Sequence, residues 1–150
     1  MNIIKGDLLA LAKQGKFDVI VHGCNCFHTM GGGIARQIKV QFPSAYDADL
    51  KTPYGDPSKV GTYSSVLVGI FFIVNAYTQF STSGFKDVFE YDGFQNLLNS
   101  LVIDFPDEKF GFPMIGAGLA GGDWTRISAM IENTLGDRAT IVEYVPQRNL

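Results

Sequence analysis

The chain has 150 residues, 46% of them hydrophobic and 18% charged, with a net charge of −3 at pH 7. That is the length of one ordinary domain, able to bury roughly two-thirds of its unfolded surface, so residues 1–150 read as a single core. No two Lys or Arg residues are adjacent, which excludes the electrostatic footprint of a nucleic-acid or membrane-surface binder, and no run of about 18 apolar residues is present to cross a bilayer.

In chain order, residues 1–5 are patterned as a strand, with no basic-then-apolar leader, and a short helix is expected near residues 7–14. A second strand follows at 18–23. Ile34, Ile38 and Phe42 then recur at four-residue spacing, predicting a helix that Pro43 stops. The segment Thr52-Pro53-Tyr54-Gly55-Asp56-Pro57-Ser58 reads as a surface turn between this helix and strands at 61–68 and 70–76. A polar loop at 79–84 leads to an apolar stripe of Tyr91, Phe94, Leu97, Leu98, Leu101, Val102 and Phe105, the second clear helix. After a strand at 109–114, Trp124, Ile127, Ile131 and Leu135 mark a third helix, which exits at Gly136-Asp137 before a last strand at 140–145. The alternation predicts an α/β protein with a mixed, largely parallel central sheet covered by helices on both faces. Cys24 and Cys26, separated by one residue, are poorly spaced for a disulfide and suit a reducing compartment. The expectation is a soluble, cytoplasmic monomer.

Two glycine-rich turns stand out. Gly31-Gly32-Gly33-Ile34-Ala35 and Gly116-Ala117-Gly118-Leu119-Ala120-Gly121-Gly122 each run into a segment patterned as a helix. Glycine lets the backbone approach a ligand closely, and a following helix aims free N–H groups and its positive dipole end at an anion. Two such turns suggest a diphosphate held from both sides. The second turn also satisfies the letter of G-x-G-x-x-G, with Glu143 about twenty residues on, where a dinucleotide fold keeps its ribose acid. Only one strand remains after it, so the second half of such a fold cannot be built.

All His and Cys residues fall within His22-Gly23-Cys24-Asn25-Cys26-Phe27-His28. If the segment is extended, alternate residues lie ~6.6 Å apart along it, whereas metal ligands must converge at about 2.0–2.3 Å. No metal site is expected, and the thiols read as small buried apolar groups. Asn25 reads either as an Asx turn or as a partner for a sugar hydroxyl. Asp123 is an N-cap or a base toward water, and Asp7 a helix cap or an acceptor for an adenine amino group. His22 could transfer protons near neutrality or pack in the core, and Tyr144 could stack on a base or sit half-exposed.

Taken in order, Gly6-Asp7-Leu8, His22-Gly23-Cys24-Asn25-Cys26 leading to Gly31-Gly32-Gly33-Ile34-Ala35, and Gly116-Ala117-Gly118-Leu119 with Asp123-Trp124 strongly resemble the macro domain across nearly the whole chain. The branch most similar is that of ADP-ribose 1″-phosphate phosphatases, where His-x-Cys-Asn-Cys precedes Gly-Gly-Gly-Ile-Ala. The resemblance implies a three-layer α/β/α sandwich with ADP-ribose across the C-terminal edge of the sheet. It further implies that Asp7 reads adenine, Leu8 gives a backbone contact, Gly31, Gly32, Gly33 and Ile34 clasp the diphosphate with Gly116, Ala117, Gly118 and Leu119, and Asn25 meets the distal ribose. A related branch that removes ADP-ribose from protein or nucleic acid uses a lysine in a Thr-Lys pair; here the pair is Thr78-Gln79, and glutamine cannot form a Schiff base. That branch also carries an acid where this chain has Ala120, with Asp123 close by as a substitute. The function expected is hydrolysis of ADP-ribose 1″-phosphate without a cofactor, with His22, Asn25 and Asp123 as catalytic candidates. The rivals are an ADP-ribosyl hydrolase and a non-catalytic ADP-ribose module.

Overall fold

The computed structural model describes residues 1–81, 88–118 and 120–146. Strand β1 (Asn2–Gly6) ends at Asp7, whose carboxylate accepts from the backbone N–H of Leu9 and Ala10 and so starts helix α1 (Leu8–Lys13). β2 (Val19–Cys24) leads through a long loop to α2 (Gly33–Gln41), followed at once by α3 (Pro43–Leu50). Pro43 therefore does more than end α2. It stands at the first turn of α3, where its missing N–H costs nothing and its fixed φ suits a helix start, so a helix stands where the sequence reading marks only the end of one. A 3₁₀ turn (Pro57–Lys59) precedes the hairpin of β3 (Tyr63–Val68) and β4 (Phe71–Tyr77). Of the expected polar loop at 79–84, residues 82–84 lie outside the described residues. Helix α4 (Tyr91–Asp104), β5 (Phe110–Phe112), α5 (Trp124–Leu135) and β6 (Ala139–Tyr144) complete the order.

Among the described residues the sheet has six strands in the order β1-β6-β5-β2-β4-β3, and β3 alone is antiparallel to its neighbour. Strand alternation divides the buried side chains into two cores. Val19, Val21, Val74 and Ala76 face α4 and α5, meeting Phe94, Leu97, Leu98, Leu101, Ile127, Ile131 and Leu135. Each of those large aliphatic or aromatic groups contributes about 1.5–3 kcal/mol by leaving water. Ile20, Phe71 and Ile73 face the other way, against Leu8, Leu9, Ala12, Ile38 and Ala45 of α1, α2 and α3. The result is a three-layer α/β/α sandwich, as the sequence pattern implies.

The topology opens a crevice. β2 pairs with β5 only at Val19–Phe110 and Ile20–Gly111, yet continues to Cys24 alongside β4. Beyond Gly111 the two strands part. From β2 the chain moves outward toward β4, and from β5 it moves the opposite way toward β6. This reversal is the place where open α/β sheets bind ligands, beyond the carboxyl ends of the strands.

Candidate functional site

The loop after β2 is held in an unusual backbone path. His28 and Met30 adopt positive φ, at 56° and 37°, a region that non-glycine residues rarely occupy. Several contacts impose it. Asn25 Oδ1 accepts from Phe27 N at 2.8 Å, Asn25 Nδ2 donates to Thr29 Oγ1 at 2.6 Å, and Tyr46 Oη donates to the His28 carbonyl at 2.8 Å. The His28 ring pairs with the Thr52 carbonyl, Met30 is buried in the core under α2, and Phe27 packs on Tyr54 and Phe80. The path ends at Gly33, where φ is +55° and α2 begins. Gly32 caps that helix without a side chain, so the first N–H groups of α2 have no side-chain acceptor. That is an anion site in waiting.

The second glycine turn is built differently. Gly122 N donates to the Gly116 carbonyl at 2.7 Å and Gly121 N to the Gly118 carbonyl at 3.0 Å, closing two tight turns, while Ala120 O accepts from Val88 N at 3.0 Å. Unlike α2, α5 is capped by a side chain: Asp123 Oδ1 accepts from Arg126 N at 3.4 Å. The second turn therefore offers its own backbone rather than a bare helix end.

Both turns border one cleft. Its distal part, with a volume of about 590 Å³, is lined by Gly31, Gly32, Gly33 and Ile34 on one side and Gly116, Gly118 and Ala120 on the other. Its floor is made by Gly23, Cys24, Asn25, Asp49, Thr78 and Gln79. A proximal part of about 470 Å³ is lined by Asp7, Leu8, Leu9, Gln37, Gln41, Val142 and Tyr144. Gly33, Ile34 and Pro113 line both parts, so the two form one continuous trough along the carboxyl edge of the sheet.

Of the residues singled out from sequence, Asn25, Asp7, Leu8, Gly31, Gly32, Gly33, Ile34, Gly116, Gly118 and Tyr144 line this trough. Asn25 forms the Asx turn and also lines the cleft. Tyr144 is 72% exposed at the proximal mouth, available to a flat ring. Ala117 is not part of the lining; its N–H is turned to the Met114 carbonyl. Leu119 lies outside the described residues. Asp123 is exposed and does not line the cleft either, its carboxylate serving as the cap.

His22 departs furthest from expectation. It is 1% exposed and does not line the cleft. Alternation along β2 turns it toward α3, on the face opposite Gly23, beside its cross-strand partner Asn75. Asn75 Nδ2 donates to the Ala45 carbonyl at 2.9 Å, which fixes the amide so that Oδ1 faces His22 Nε2 at 2.6 Å. The imidazole is thus a donor in a sealed network. Burial pushes its pKa down to about 4, against the smaller opposing pulls of the Asn75 hydrogen bond and the Asp49 carboxylate. It is neutral at pH 7 and out of reach of a ligand, so the proton-transfer role read from sequence gives way to a structural one.

Asp49 is the cleft residue that sequence reasoning missed. It sits on α3, is almost fully buried, and accepts from Tyr77 Oη at 2.7 Å while lining the distal floor. Its signal was faint, because α3 itself was not expected. Burial raises the Cys24 thiol well above its ordinary value, with Asp49 adding to the effect, so this neighbour stays protonated and inert. Among the described residues no cluster of His, Cys, Asp or Glu could hold a metal ion. No helix among them is long and apolar enough to cross a membrane.

No family model matches the chain. An uncharacterized 17.5 kDa protein of Enterobacteria phage T4 is 40% identical over 143 residues, covering 88% of each chain. An ADP-ribose 1″-phosphate phosphatase of Scheffersomyces stipitis is 51% identical over 48 residues, a match spanning 31% of this chain and 28% of that protein. In three dimensions the macrodomain of Thermus aquaticus DarG superposes with a TM-score of 0.72 at 21% identity, covering 97% of both chains. The chain has the macrodomain fold. In this macrodomain the trough is built from the loops that follow β1, β2, β4 and β5, together with the end of β6.

The left-handed residue at the start of α2 gives a first test. A Cβ on Gly33 meets nothing within 4 Å, so only backbone strain opposes it. Gly33→Ala is expected to lower stability by about 1–2 kcal/mol in urea unfolding and leave the fold intact, while its methyl group narrows the trough where the two parts meet.

Proposed function

We propose that this macrodomain binds ADP-ribose in the trough and hydrolyses ADP-ribose 1″-phosphate to ADP-ribose and phosphate. The observation that carries the reading is the single trough bordered by both glycine turns, with adenine-sized space at one end and a polar floor at the other. The short match to a yeast ADP-ribose 1″-phosphate phosphatase supports the finer assignment. In this reading Asp7 and Tyr144 hold the base, and Leu8 offers its backbone. Uncapped amides of α2 and the amides of the second turn hold the diphosphate, and Asn25 orients the distal ribose. Fixing the phosphate beside water in a charge-complementary site supplies orientation and electrostatic stabilisation together.

A base must accept the proton of the attacking water. Asp49 is the carboxylate that lines the distal floor, whereas Asp123 is spent on capping α5. Asp49→Asn is therefore expected to slow phosphate release from ADP-ribose 1″-phosphate by about 10²-fold or more, with ADP-ribose affinity measured by calorimetry little changed. Asp123→Ala is expected to cost about 1 kcal/mol of stability through the lost cap and keep most of the turnover. Full activity of the Asp49 variant would refute the assignment.

One observation favours a second reading, a binding module without turnover. Among the described residues of the distal lining only Asp49 and Cys24 are ionisable, and the thiol is inert. Tight ADP-ribose binding with no phosphate release would select it. The lysine-dependent removal of ADP-ribose from protein or nucleic acid is disfavoured, since Gln79 lines the cleft at the lysine's place.

A further inference from the structure

Among the described residues, Lys59 Nζ and Thr78 Oγ1 are the buried side-chain polar atoms without a hydrogen-bond partner. Their surroundings differ. The Lys59 ammonium lies 4.5 Å from the centre of the Tyr77 ring, whose face attracts a cation. Thr78 has no such substitute, and it is fully buried one residue beyond β4. A buried hydroxyl without a partner is costly. Its backbone cannot relax to relieve the cost, because Thr78 N donates to the Cys24 carbonyl at 3.2 Å and Thr78 O accepts from Glu90 N at 2.9 Å.

The location of the orphan gives it a use. Thr78 lines the distal floor next to Gly23 on the adjacent strand. A Cβ on Gly23 would stand 3.0 Å from Thr78 Oγ1 and 3.4 Å from Ile115 Cγ1. The hydroxyl is closed to solvent, and glycine at that position sets no side chain against it on the Gly23 side, where any larger residue would press on it. A hydroxyl can donate to a phosphate oxygen and can either donate to or accept from a sugar hydroxyl.

We propose that Thr78 is the residue that selects the distal half of the ligand, its hydroxyl pairing through the Gly23 gap with an oxygen of the distal ribose or of its 1″-phosphate. ADP lacks both groups, so Thr78 discriminates ADP-ribose from ADP. The proposal rests on the reading of the trough as an ADP-ribose site.

Calorimetry with ADP-ribose and with ADP, on the wild type and three variants, tests it alongside thermal melts. Thr78→Val keeps the shape and removes the hydroxyl. It is expected to bind ADP-ribose about tenfold more weakly, to bind ADP as the wild type does, and to melt at the same or a higher temperature because an unsatisfied group is gone. Thr78→Ser, which keeps the oxygen, restores the affinity. Gly23→Ala covers the hydroxyl without removing it, and the same selective loss is expected; it also carries the test if the valine variant does not fold. Wild-type ADP-ribose affinity in Thr78→Val overturns the proposal. So does a loss shared equally by ADP and ADP-ribose with a lowered melting temperature, which is the mark of a structural residue. A wild-type protein that binds neither nucleotide overturns the reading of the trough, and this proposal with it.

Discussion

Acidification from pH 7 to pH 4 is expected to destabilise this macrodomain by roughly 3 kcal/mol through His22 alone. The unfolded imidazole titrates at 6.5, the folded one at about 4. Between those values the unfolded chain holds the proton and the native one does not, so stability falls as pH drops through this window. It is fully present above pH 6.5, and the loss levels off below about 4. The cause is geometric. Nε2–H already donates to Asn75 Oδ1, and Asn75 is tied in turn to the Ala45 carbonyl and Ser64 Oγ, so a second proton would place an extra charge in a sealed pocket. Urea unfolding of the wild type and of His22→Gln at pH 7, 6, 5 and 4 isolates the contribution. The variant is expected to be less stable at pH 7, since Asn75 loses a buried donor at a cost of about 1–3 kcal/mol, and the gap should narrow steadily toward pH 4. Parallel curves would show that His22 is not buried in its neutral form. The same network bears on the proposed hydrolysis: phosphate release, as proposed, should show no titration near pH 6.5 attributable to His22.

This residue also shows where sequence reasoning stops. The strand carrying His22 was legible, as were α4 and α5, because long stripes of apolar residues at helical spacing leave few alternatives. Proximity in sequence was a poor guide to proximity in space. His22 and Gly23 are neighbours, but period-two alternation sends one into the α3 side of the sheet and the other to the cleft floor. Helix α3 was invisible for a different reason. In sequence its Pro43 reads as a terminator of α2, and of its residues only Ala45 and Asp49 are buried, which leaves no apolar stripe to find. Asp49 was hidden with it. The glycine turns were readable as runs of glycine ahead of helical patterns, and Gly33, Gly116 and Gly121 do take positive φ, yet the capping of α5 by Asp123, which makes the two turns unequal, depends on a hydrogen bond that sequence could state only as one option. Thr78 stands beside Gln79 in the sequence, and nothing there marks its hydroxyl as unpartnered, since that depends on what every neighbour is doing.

Gly116→Ala is expected to cost about 2–5 kcal/mol and to abolish ADP-ribose binding, by two additive routes. Gly116 sits at φ +76°, a conformation in which a Cβ is strained whatever the space around it. The space is also lacking. That Cβ would lie 2.5 Å and 2.6 Å from two ring carbons of Phe89 and 3.0 Å from Ile127 Cδ1. Phe89 cannot swing aside, because it is buried edge-on between Tyr91 and Phe94, with ring centres 5.1 Å and 5.3 Å away. Relief must come from the turn itself, whose shape depends on the Gly116 carbonyl accepting from Gly122 N. Moving it displaces Gly118 and Ala120, the wall that faces α2 across the cleft. A Cβ on Gly118 meets nothing within 4 Å, which makes Gly118→Ala the control. It should melt close to the wild type, whereas the Gly116 variant should melt lower by roughly 2–4 °C for each kcal/mol lost. Equal melting temperatures and equal ADP-ribose affinities for Gly116→Ala and the wild type would mean that the second turn neither needs its left-handed glycine nor shapes the cleft.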